Sequence, residues 1–299
     1  MGVGNNARRL VLVVSLFALG LCGAGAKVVV AQKPDDEEQS RQVFATEFLN
    51  ARPAQQARRG PRTAPAKGSA NPTSDLLGVT IWRLRPGAPS DDTQARLLDH
   101  EADTETVLVA ERVSPDTKFK EGQKVRLSIE SPRTGYLYVI DREQYADGTF
   151  SDPYLIFPTL KTRDGDNAVA AGRLIEIPDQ DDKPFYFKMK RNRADQVGEV
   201  LTLLVTSQPI PSLQLGKKAL KLTNEQFAQW EQKWKAPTKR VELANHAGKT
   251  YTKAEMTAGA NNASLLGRDD PPPQTIYRIS AKPGDALLIT LLLQYETPK

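Results

Sequence analysis

The chain has 299 residues, 39% of them hydrophobic, a formal charge of +5 and a pI near 9.1. That length supports one large domain or two small ones, and the modest, interspersed charge excludes the dense basic face that nucleic-acid binding requires. The only cysteine, Cys22, leaves no thiol beyond it for a disulfide framework, a thiolate nucleophile or Cys-ligated zinc.

Residues 1–31 read as a signal peptide. Arg8 and Arg9 precede the apolar run LVLVVSLFALGLCGAGA, and small residues follow at Ala24-Gly25-Ala26 and Val29-Val30-Ala31. The run is too short for a permanent membrane span, so the mature chain is expected to carry no transmembrane segment and to be exported to a periplasmic or extracellular location. Residues 32–75 are rich in Pro, Ala and Arg and nearly empty of large apolar residues past Leu49. Such a segment buries too little to offset its ordering entropy, so a disordered linker is expected there. Its Arg58, Arg59, Arg62 and Lys67 serve a solvated spacer, or alternatively an anionic surface.

From Leu76 to the end, short β-type runs alternate with Gly, Pro and Asp clusters. KVRLSIE sets Val125, Leu127 and Ile129 on one face and Lys124, Arg126, Ser128 and Glu130 on the other, the pattern of a half-buried antiparallel strand. Similar runs are GVTIWRL, TVLVAERV, YLYVID, YLIFP, RLIEIP, FYFKMK, VLTLLVTS, TIYRIS and ALLITLLLQY. Ten such runs predict an all-β fold over 76–299, an antiparallel β-sandwich of immunoglobulin-like or C2-like type, with VLTLLVTS and ALLITLLLQY placed centrally. A small helical insertion, 211–273, interrupts it. There Thr223 is the expected N-cap of a helix whose Phe227, Trp230 and Trp234 share one face and dock on a sheet. Thr252 and Glu255 have the spacing of a second capping box.

Chemistry is sparse. Histidine occurs only at His100 and His246, which argues against a zinc site of ordinary type. No G-x-S-x-G or G-x-G-x-x-G is present, and AGKT at 247–250 lacks the earlier glycine of a phosphate loop, since position 243 is Leu. The acidic segment after YLYVID is the remaining candidate, with Tyr145 and Phe150 offering aromatic faces to a ligand. Asp141, Asp147, Asp152, Asp164 and Asp166 are candidate calcium ligands, because a hard cation takes six to eight oxygens. Turn chemistry is the alternative, since Asp147-Gly148 and Asp164-Gly165 suit positive φ. No other cofactor is indicated.

Residues 123–207 resemble the bacterial family known as domain of unknown function 4384. The resemblance rests on VRLSIESPRTGYLYVID, YLIFPT, DNAVAAGRLIEIPD and GEVLTLLVTSQPIP, with Pro158 and Pro178 closing strands and Gly135 and Gly172 opening them. It implies an accessory or binding module of exported proteins and carries over no catalytic residue. The expectation is therefore a non-enzymatic module of the bacterial cell envelope that binds a partner protein or an envelope polymer. A glycosidase-like hydrolase with a carboxylate pair from 141–152 is the competing reading, and a purely structural envelope component is a third.

Overall fold

The computed structural model describes residues 36–52, 75–92, 96–101, 104–114, 116–211, 213–243, 247–260 and 265–297. The expected signal, 1–31, and residues 53–74 of the expected linker lie outside the described residues. The helices are α1 (Asp36–Ala51), α2 (Asn224–Trp234) and α3 (Lys253–Gly259). The strands begin with β1 (Asp75–Pro86), β2 (Arg96–Glu101), β3 (Thr104–Arg112), β4 (Lys118–Phe119), β5 (Lys124–Glu130), β6 (Gly135–Tyr145) and β7 (Tyr154–Phe157). They continue with β8 (Ala168–Val169), β9 (Leu174–Ile177), β10 (Phe187–Lys188), β11 (Gln196–Thr206) and β12 (Leu220–Lys221). The last are β13 (Thr238–Glu242), β14 (Thr275–Ile279) and β15 (Leu287–Tyr295).

Two sheets pack face to face, as the alternation predicts. The eight-stranded sheet runs β10-β5-β1-β14-β13, with β3 beside the second half of β1, β2 beyond β3, and β9 sharing an edge of β5. The seven-stranded sheet runs β12-β7-β6-β11-β15-β4, with β8 on β6. Between them Leu77, Val79, Ile81, Val125, Leu127 and Ile129 meet Leu137, Val139, Leu201, Leu203, Leu287 and Ile289. Each is almost fully buried, and burying an aliphatic side chain of this size contributes about 1.5–3 kcal/mol. Strand β11 is central, paired with β6 on one side and β15 on the other. Pro158 and Pro178 follow the last residues of β7 and β9, and Gly135 opens β6, where a Cβ would stand 2.1 Å from the Thr206 carbonyl.

Helix α2 docks as its aromatic face predicts. Thr223 accepts from the Gln226 N–H at its start, Phe227 is buried against Tyr138, Ile140 and Leu204, and Trp230 and Trp234 pack beside it. It covers the outer face of the seven-stranded sheet. Helix α3 carries the complete Thr252–Glu255 capping box.

Four expectations are corrected. The first half of the linker segment is not disordered: 36–51 forms α1, whose Phe44 and Phe48 are 5% exposed against Leu76, Val241 and Ile276. Phe44, Phe48 and Arg52 fall four apart on one face, and Gly78 opens the hole that receives Phe48; a Cβ there would lie 2.7 Å from its Cζ. Second, β5 is buried on both faces, with Arg126, Ser128 and Glu130 at 1–3% exposure. Helix α1, helix α3 and the segments leading to β10 and β14 cover the face that alternation assigns to water. Third, FYFKMK contributes only the two residues of β10 to a ladder. The insertion is also mixed rather than helical, since β12 and β13 lie inside it.

Candidate functional site

The acidic segment is partly strand. Strand β6 runs on to Tyr145, so Asp141, Glu143 and Tyr145 follow Leu137 and Val139 on the inward face at one end of the sandwich. In the register of β6 with β11, Glu199 stands opposite Glu143 and diagonal to Asp141, whose own partner is Leu201. Three carboxyls therefore converge where the apolar core ends. Glu143 is held by Tyr145 Oη, which donates at 2.8 Å, and by Asn192 Nδ2. Glu199 Oε1 accepts from Tyr295 Oη at 2.8 Å and from Gln196 Nε2 at 2.7 Å. Asp141 Oδ1 and Glu199 Oε2 are out of solvent with no hydrogen-bond donor in reach. Burial, then the Glu143 charge, pushes Asp141 up to about 7; burial, then the Asp141 charge, pushes Glu199 up to about 8.

The other predicted site residues disperse. Asp147 Oδ1 accepts from the N–H and hydroxyl of Thr149, which lowers its pKa, and Gly148 beside it takes φ +84°. Asp152 pairs with Lys221 at 2.5 Å and accepts from Asn224, both lowering its pKa. Asp164 sits in a short 3-10 turn at φ 52°, followed by Gly165 at φ +84°, and Asp166 accepts from the Ala168 N–H. These are the jobs of turn carboxylates. Among the described residues no group of three or more His, Cys, Asp or Glu is arranged to hold a metal ion. Tyr145 is buried at 7% exposure, its ring covered by Arg193 at 3.8 Å, so it offers no open face to a ligand. Phe150 is exposed, and Arg142 stacks on it at 4.7 Å. The strands flanking this segment, β6 and β7, do pair antiparallel.

Sequence reasoning missed the outer face of the eight-stranded sheet. Arg52 donates to both oxygens of Glu130, at 2.9 and 2.5 Å, and through Nη1 to the carbonyls of Gly267, Asp270 and Pro271. Arg112 pairs with Glu255, and Arg126 with Glu176 at 3.5 Å. Three guanidiniums and three carboxyls thus form a balanced layer with every side chain at most 5% exposed. Burial pushes Glu130 up, and pushes Glu176 up to about 7. The polar positions of β5 were visible in the sequence; Glu130 and Arg126 find their partners in 36–52 and 174–182, Arg112 of β3 finds Glu255 in α3, and none of these gives a local signal.

Next to this layer lies a cleft of about 580 Å³. Its floor is Phe185 and Tyr186, whose rings meet edge to face at 5.4 Å, and Leu98 and Asp99 of β2 form one wall. Lys124 ties the wall to the floor, pairing with Asp99 at 2.5 Å and lying 4.4 Å from the Tyr186 ring centroid. Leu98 is 54% exposed at the lip, and Gln180 and Lys183 stand opposite. Among the described residues β2 pairs only with β3, so its other edge has no strand partner. At the end of the sandwich where the carboxyls meet, a hollow of about 410 Å³ is lined by Gln196 and Tyr295 but by neither Asp141 nor Glu199.

No helix among the described residues is long and apolar enough to cross a membrane. Comparison with protein-family models, with curated proteins and with solved structures returns no match.

Proposed function

We propose that the protein is an exported, non-enzymatic binding module of the bacterial envelope that captures an extended segment of a partner protein along β2. The observation that carries this reading is the aromatic-floored cleft beside a strand whose second edge has no strand partner among the described residues. An edge strand offers unpaired N–H and C=O groups as a template, and an adjacent cleft supplies side-chain selectivity. Leu98 at the lip favours a protein segment over a glycan, because Phe185 and Tyr186 are too buried to act as open stacking platforms. Export is supported by the paired arginines and apolar run of residues 8–26, and the accessory role by the resemblance of 123–207 to domain of unknown function 4384.

The test is a synthetic peptide library screened against the full chain, with hydrogen exchange on the β2 amides. Binding peptides are expected to protect Arg96–Glu101 and to weaken at least tenfold in Leu98→Asp. Peptides that bind equally well to Leu98→Asp, or a library without binders, would overturn the assignment. Native protein that retains Met1 would separately overturn export.

A further inference from the structure

The end of the sandwich opposite in character to that cleft is the one where Asp141, Glu143 and Glu199 meet. We propose that Asp141 and Glu199 share one proton in the folded protein, and that its release at mildly alkaline pH loosens this end of the sandwich, making it a proton-controlled latch. The geometry points to this in three steps. First, the β6–β11 register sets Glu199 diagonal to Asp141 where the apolar core ends, and two carboxyls brought together out of water relieve their repulsion when one of them carries a proton. Second, each acid keeps one oxygen out of solvent with no donor in reach, Oδ1 of Asp141 and Oε2 of Glu199. A second ionised carboxylate there would be desolvated and unpaired.

Third, among the described residues no cation pairs with either acid. The charged and titratable groups facing the pair are Glu143 and Tyr145 from β6, Tyr295 from β15, and Lys190, Arg191 and Arg193 from the segment that closes the end. Arg193 is paired with Asp195 and stacked on Tyr145; Arg191 is stacked on Tyr295 at 4.8 Å and bonded to the Glu296 carbonyl. Lys190 approaches Tyr295 through its backbone. Glu143 already has two donors and adds negative charge. The proton therefore removes one of two like charges that would otherwise oppose the β6–β11 pairing at this end.

The sign follows from the raised pKa values of about 7 and about 8. The folded state binds more protons than the unfolded state between about pH 4 and pH 8, so this contribution is full below about pH 4, declines above it, and is gone once pH has risen through 7 and 8. The protein's melting temperature is expected to fall by several degrees between pH 6 and pH 9, and amide exchange within 139–145, 190–200 and 291–297 to rise over the same range. In Glu199→Gln the amide donates to Asp141 in place of the proton, and the profile is expected to flatten. A flat wild-type profile, or an unchanged slope in Glu199→Gln, would overturn the proposal. If that variant fails to fold, infrared spectroscopy of the wild type decides: a protonated-carboxyl band at pH 6 that vanishes by pH 9 supports the shared proton, and its absence refutes it. Calcium at 1 mM (the probe concentration) is expected to leave the alkaline melting temperature unchanged. Its recovery by calcium would assign the three carboxyls to a cation instead.

Discussion

Replacing Arg52 by Met is the most discriminating single perturbation of the fold. The guanidinium is 2% exposed and makes five hydrogen bonds, two to Glu130 and three to backbone carbonyls of the 267–271 turn. Methionine keeps the stem that packs near Phe48 but strands the Glu130 carboxylate under α1. Breaking one half of a buried ion pair costs about 3–5 kcal/mol, which for a domain of this size is a fall of roughly 6–20 °C in melting temperature. Burial already pushes the Glu130 pKa up against the pull of Arg52, and without Arg52 it rises further. Glu130 then escapes the penalty by taking a proton, so the destabilisation is expected to be larger at pH 8 than at pH 5. The double variant Arg52→Met, Glu130→Met removes both charges and is expected to regain more than half of the loss, leaving the cost of three carbonyls without a donor. Thermal melts of the three proteins at both pH values form the assay. A shift under about 2 °C for Arg52→Met, well below the buried-pair range, would refute the burial of this pair in solution. A double variant as unstable as the single would show that the loss lies in packing and not in the stranded charge.

Four further outcomes are expected. Phe48→Ala empties the hole over Gly78 and should cost about 3–5 kcal/mol by denaturant titration, with protease cleavage appearing inside 36–52. Phe227→Ala should cost a similar ~3–5 kcal/mol and unseat α2, read as a loss of near-UV circular dichroism from Trp230 and Trp234. Thr252→Ala removes the hydroxyl that caps α3 and should cost about 1 kcal/mol in the same titration. Calcium or a chelator should leave the melting temperature at pH 7 unchanged, because Asp147 and Asp152 are engaged by Thr149 and Lys221 while Asp164 and Asp166 belong to another turn; a rise of several degrees would overturn that placement.

What the sequence made legible is what is local. Alternation in KVRLSIE places the whole of β5, Phe227, Trp230 and Trp234 set the docked face of α2, and two Asp-Gly pairs mark turns at positive φ. The misses are all long-range. Helix α1 has only Phe44 and Phe48 for a buried apolar face, too few to signal an amphipathic helix, and its fit depends on a glycine 30 positions after Phe48. Asp141 reads as an acid at the end of YLYVID until Glu199, on another strand, is brought beside it by the β6–β11 register. Asp152, grouped with it as a candidate calcium ligand, is drawn away by Lys221 and Asn224.

The two outer faces solve one problem in different ways, and the difference predicts which cover is more selective. On the seven-stranded sheet α2 is held by Phe227, Trp230 and Trp234 against aliphatic and aromatic neighbours, contacts that tolerate repacking at modest cost. On the eight-stranded sheet the cover is keyed by charge: Arg52 must meet Glu130, Arg112 must meet Glu255, and Arg126 must meet Glu176. A shift of α1 by one residue would turn Arg52 away from Glu130 by about 100°, one residue's rotation on a 3.6-residue turn, and leave both ions buried without partners. The ion layer therefore adds little net stability over an apolar one while excluding misdocked covers. Substituting all six ions by apolar residues is expected to yield a chain that remains folded but holds α1 in more than one register, whereas the same treatment of the α2 face changes stability alone.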